Sequence, residues 1–93
     1  LAVQKLIDGA TGTVDGSTVQ SFQDKQKSQY GVFQAEITDT ATVKLQGRVS
    51  PGAPWVDVTS LTASGAEVVT LFPEMRGKVS SHSAGTVNAW LKD

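Results

Sequence analysis

The chain has 93 residues, 39% of them hydrophobic and 18% charged, with eight Lys/Arg against nine Asp/Glu and a formal charge of -1. That length supports one domain with a thin core, about 64% of the unfolded surface being buried on folding. Charge balance argues against a generic nucleic-acid binder, which needs a basic face to displace counterions. The absence of Cys excludes disulfides and thiolate chemistry, and no apolar run reaches the 18 to 20 residues of a membrane-spanning helix.

The chain begins at Leu1. Residues 1–16 hold Gly9, Gly12 and Gly16 around a short apolar stretch of Val3, Leu6 and Ile7. Interior glycines disfavour a helix, so residues 1–12 read as an extended arm or one edge strand, followed by a single β domain over 13–93. As an arm, the segment would serve attachment to a neighbour and be dispensable for folding. Asp15-Gly16 is a hairpin-turn dipeptide, expected to join residues 12–14 to a strand over 17–22. The Lys- and Gln-rich stretch 24–29 reads as a loop with at most one helical turn.

Regular alternation starts later. Phe33, Ala35 and Ile37 share one parity in a strand over 30–37. Ala41, Val43, Leu45, Gly47 and Val49 alternate with Thr42, Lys44, Gln46 and Arg48, as a half-buried strand requires. Pro51, Gly52 and Pro54 break the ladder. A strand over 55–61 follows, with Val56 and Val58 assigned to the core and Trp55 to the sandwich end. The turn 62–65 precedes a strand over 67–72. Met75, Gly77 and Val79 then alternate with Arg76, Lys78 and Ser80. The segment 81–85 is read as a loop joining this strand to Val87, Ala89 and Leu91 in a hairpin.

Seven or eight short strands at this spacing predict an all-β fold, a small antiparallel β-sandwich or compact barrel. Greek-key and meander orders are both compatible with it.

Chemistry is sparse. His82 is the only histidine, so one subunit lacks a two-histidine metal site, and its setting between Ser81 and Ser83 reads as a solvent-facing turn. Asp39, Asp57, Glu67 and Glu74 are the carboxylates to weigh for acid–base work, but each falls near a turn or wet face. No catalytic, cofactor-binding or metal-binding residue is assigned, and no cofactor is expected. Trp90 shares parity with Asn88 and points away from the inferred core. It is read as an interface or sheet-surface residue, with core plugging and sugar stacking as alternatives. Val3, Leu6, Ile7 and Trp90 are the candidate interface residues.

Residues 41–91 also carry a cadence: Ala41-Thr42-Val43-Lys44-Leu45-Gln46-Gly47-Arg48, Pro54-Trp55-Val56-Asp57-Val58, Leu71-Phe72-Pro73-Glu74-Met75-Arg76-Gly77-Lys78-Val79, and Ser83-Ala84-Gly85-Thr86-Val87-Asn88-Ala89-Trp90. This resembles the small all-β structural proteins of tailed-phage virions. The resemblance implies a non-enzymatic virion component, and within that class a head decoration, or cement, protein on the outer capsid surface. Its partners would be the major capsid protein and further copies of itself, a trimer being favoured, with no nucleic acid and no membrane. A phage tail or neck structural protein is the near alternative, and a carbohydrate-binding β-sandwich module the distant one.

Overall fold

The computed structural model describes residues 3–16, 18–19 and 30–92. The expected strand over 17–22 lies largely, and the loop over 24–29 wholly, outside the described residues. Eight strands follow in chain order: β1 (Val3–Ala10), β2 (Val14–Asp15), β3 (Tyr30–Ile37), β4 (Thr40–Arg48), β5 (Val56–Leu61), β6 (Gly65–Thr70), β7 (Glu74–Ala84) and β8 (Val87–Lys92). No helix occurs among the described residues.

Two four-stranded antiparallel sheets result, ordered β1-β8-β3-β6 and β2-β7-β4-β5. Almost every connection crosses from one sheet to the other, and only β4 and β5 are consecutive neighbours within a sheet. This eight-strand order is that of a jelly roll, two interleaved Greek keys.

The strand parities explain the core. Phe33, Ala35 and Ile37 from β3, Ala41, Val43 and Leu45 from β4, Met75 and Val79 from β7, and Val87, Ala89 and Leu91 from β8 are all buried between the sheets. Each strand therefore has one dry face, as the alternation requires.

Several expectations are corrected. β7 and β8 do not form a hairpin, because β7 belongs to one sheet and β8 to the other. β7 runs on through Ala84, and the chain turns at Gly85, whose φ of +85° suits glycine. A Cβ at Gly85 would also meet the Thr38 hydroxyl at 2.6 Å.

Asp15-Gly16 is not a hairpin turn. Val14 and Asp15 pair with Val79 and Lys78, and Val19 bridges Met75, so this stretch runs along the edge of β7. Gly16 is required by proximity: a Cβ there would lie 2.4 Å from the Leu6 carbonyl oxygen.

Val56 is not a core residue; it is 46% exposed. β5 is an edge strand bulged against β4 between Leu45 and Gln46, and the Phe72 ring fills the space over Gly47, the residue opposite Val56. Val58 packs against the core from a half-buried position, whereas Val49, expected inward, is exposed beyond the end of β4.

Residues 3–10 are a paired edge strand, one of the two readings given for residues 1–12, and not a free arm. β1 aligns with β8 from Val3↔Lys92 to Ala10↔Val87, and Leu6 and Ile7 are 4% and 3% exposed within the common core. Of the apolar stretch near the N-terminus, Leu6 and Ile7 thus belong to this chain's own interior, while Val3 is exposed.

Candidate interaction surfaces

Each sheet turns a second face outward, and the two faces differ in chemistry. On β2-β7-β4-β5 the outward parity collects Asp15, Lys78, Arg76, Glu74, Lys44, Gln46, Arg48 and Asp57, and these bond to one another across all four strands. Lys78 Nζ donates to Asp15 Oδ1 at 2.7 Å, with Arg76 Nη1 3.9 Å from Asp15 Oδ2. Arg76 Nε donates to Gln46 Oε1 at 2.9 Å, and Gln46 Nε2 donates to Asp57 Oδ1 at 2.9 Å. Lys44 Nζ closes the chain on Asp57 Oδ2 at 3.0 Å. Beside it, Arg48 Nε donates to the buried Glu74 Oε1 at 2.6 Å.

Trp55 lies against this network. The Arg48 and Arg76 guanidinium carbons are 4.3 Å and 4.5 Å from its ring centroid, within cation–π range. The expected role of Trp55 as an end plug of the core is replaced by stacking on two cations at the sheet surface. Asp15 and Asp57 are held below the usual carboxylate range, Asp15 chiefly by the hydrogen bond from Lys78 and Asp57 by those from Gln46 and Lys44.

The outer face of β1-β8-β3-β6 is different. At one end it is polar: Asn88 Oδ1 accepts from the Gly9 N–H at 2.7 Å while Asn88 Nδ2 donates to Glu36 Oε1 at 3.2 Å. At the other end the aligned row Val3–Lys92–Val32–Val68 crosses all four strands. Its three valines are 58%, 41% and 73% exposed. The neighbouring row runs Lys5–Trp90–Gln34–Ala66. Tyr30 adds a further exposed ring at the start of β3. Val3, Val32, Gln34, Trp90 and Lys92 line a shallow apolar depression, and Lys5 Nζ sits 5.3 Å from the Trp90 ring centroid.

Of the four candidate interface residues, the structure brings Val3 and Trp90 to one surface and places Leu6 and Ile7 in the core. Val32, Val68 and Tyr30 are exposed on the same sheet, and the sequence signal for them is an apolar residue on the wet parity of a strand, which alternation alone assigns to solvent.

The remaining chemical candidates are dispersed. His82 lies in β7 rather than a turn, half-buried, and its Nε2–H donates to the Gly85 carbonyl at 2.8 Å. Asp39 accepts from the Thr40 hydroxyl at 3.0 Å, and Glu67 accepts from the Thr59 hydroxyl where the β5 and β6 edges meet. Among the described residues no three His, Asp or Glu side chains gather as a metal site. Comparison with known protein families, with curated proteins and with solved structures finds no match.

Proposed function

We propose that this chain is a virion structural protein without a reaction centre, a head decoration protein bound to the outside of an assembled tailed-phage capsid through the major capsid protein. The observation carrying this reading is the apolar end of the β1-β8-β3-β6 face, where Val3, Val32 and Trp90 surround one depression. A contiguous apolar area on a sheet face marks a contact surface, and Trp is favoured at the centre of such contacts. The jelly-roll order lends support, since it recurs in viral capsid domains, although a fold does not carry a function by itself.

Binding the assembled shell in preference to free subunits stabilises the shell by mass action. Repetition over a symmetric lattice makes individually weak contacts collectively strong. The same surface would serve a tail or neck protein equally well, so the test separates the particles. Co-sedimentation with purified cognate heads is expected for the wild type and strongly reduced for Trp90→Ala and Val32→Asp, both on the outer face. Binding to tails alone would move the protein along the virion. Failure to bind either, with specific glycan binding, would replace this reading by the carbohydrate-binding one.

A further inference from the structure

Four strands form the sheet edges, and three of them carry features that resist additional pairing. β1 breaks register twice and bears Lys5. β2 is two residues long. β5 is bulged. Such features keep edges from recruiting further strands.

β6 is the least protected of the four: it has no basic residue, proline or bulge, and its one charge is Glu67, on the inward parity opposite Phe33. Gly65-Ala66-Glu67-Val68-Val69-Thr70 contains no Lys, Arg or Pro and aligns with β3 without a register shift from Tyr30↔Thr70 to Ala35↔Gly65. Val68 is 73% exposed. Among the described residues no strand pairs with the far side of β6, so its unpaired N–H and C=O groups form a template for another strand.

We infer that β6 is a self-pairing edge, to which β6 of a second copy adds antiparallel about a two-fold axis at Val68, joining two β1-β8-β3-β6 sheets into one of eight strands. Side-chain chemistry selects the register. Residues directly opposite share a face, so an isologous pair centres on one residue. Centring on Glu67 would oppose two carboxylates, which is unfavourable. Centring on Val68 places it against its own copy, with Glu67 facing the partner's Val69 and Ala66 facing the partner's Thr70. Val32 lies opposite Val68 on β3, so valines continue in one row across the join.

A six-residue strand is about 20 Å long and covers on the order of 400 Å² per partner, half a standard interface. The pair is therefore weak in free solution and strengthened where a surface gathers many copies. It is a two-fold arrangement in place of the trimer implied by the resemblance, and it does not depend on capsid binding.

Sedimentation velocity of the pure protein from micromolar to millimolar concentration is expected to show a monomer–dimer equilibrium. Val68→Lys should abolish the dimer while leaving circular dichroism and the urea midpoint unchanged, because the side chain is exposed. Hydrogen exchange of the wild type should show the β6 amides that point away from β3 protected at high concentration and exchanging at low; this needs no substitution and decides the matter if the variant fails to fold. A wild type that stays monomeric at millimolar concentration, forms a trimer, or dimerises as strongly with Lys at position 68 overturns the inference.

Discussion

Thr38 and Thr86 clasp each other across two sheet crossings. The Thr38 N–H donates to the Thr86 carbonyl at 3.1 Å, and the Thr86 N–H returns a bond to the Thr38 hydroxyl at 2.8 Å. One crossing joins β3 to β4 and the other joins β7 to β8. The pair fixes where four central strands change sheet, and Gly85 lets the backbone turn beside it. Thr38→Val keeps the shape and removes the hydroxyl. The expected loss is about 1 kcal/mol, since water reaches this exposed site, measured as a lower urea midpoint with an unchanged slope. Gly85→Ala should cost more, because it adds left-handed strain to a Cβ contact of 2.6 Å with the Thr38 hydroxyl.

Gly16 and Gly12 make a matched pair. Alanine at 16 would drive a Cβ to 2.4 Å from the Leu6 carbonyl oxygen and 3.0 Å from that of Gly77, while alanine at 12 meets nothing within 4 Å. Both obstructions at 16 are backbone atoms. Gly16→Ala is expected to cost about 2 kcal/mol or more and Gly12→Ala to stay within about 0.5 kcal/mol. Equal effects in thermal unfolding would show that β2 does not pack as described.

Removal of residues 1–12 should unfold or severely destabilise the domain. An attachment arm would be dispensable for folding, but this segment carries Leu6 and Ile7 into the core. Leu6→Ala alone is expected to cost about 2–5 kcal/mol, the range for deleting a buried leucine side chain. Circular dichroism with urea titration reads both. A truncated chain with the full-length midpoint would contradict the assignment of β1 to the core.

Much of this architecture is legible in the residues, and the unread part has a physical cause. Alternation in 41–48 and 33–37 marks the dry parity correctly, because a strand with one buried face must repeat every two residues. Parity does not say which sheet a strand joins. That depends on crossings such as 38–39 and 85–86, where the short separation of β7 and β8 mimics a hairpin. The polar stretch Ser81-His82-Ser83 conceals the last residues of β7 for a similar reason: hydrophilic residues suit an exposed strand end as well as a loop. At the surface, Trp90 was visible as an outward ring, but its companions Val32 and Val68 come together only through the β8-β3-β6 order.

Acid should weaken the fold through the network on the β2-β7-β4-β5 face. Asp15 and Asp57 titrate lower in the folded chain than in the unfolded one. Their contribution is therefore present at neutral pH, begins to fall near the unfolded aspartate value of about 3.9, and disappears as pH drops through the folded values. Both side chains are about half exposed, at 52% and 49%, so the effect is modest and screened by salt. Asp57→Asn should flatten the decline of the urea midpoint between neutral pH and about pH 2.5. An unchanged slope in that variant would remove Asp57 from the account of acid sensitivity.

The most direct test of the outer apolar face uses Trp90 as its own reporter. In a Trp55→Phe background Trp90 is the single tryptophan, half-buried beside Val3 and Val32. On addition of assembled cognate capsids, its emission is expected to shift to the blue and its quenching by acrylamide to fall, in proportion to the protein bound. Bound protein whose Trp90 emission and quenching match those of the free chain would contradict the assignment of this face as the contact surface.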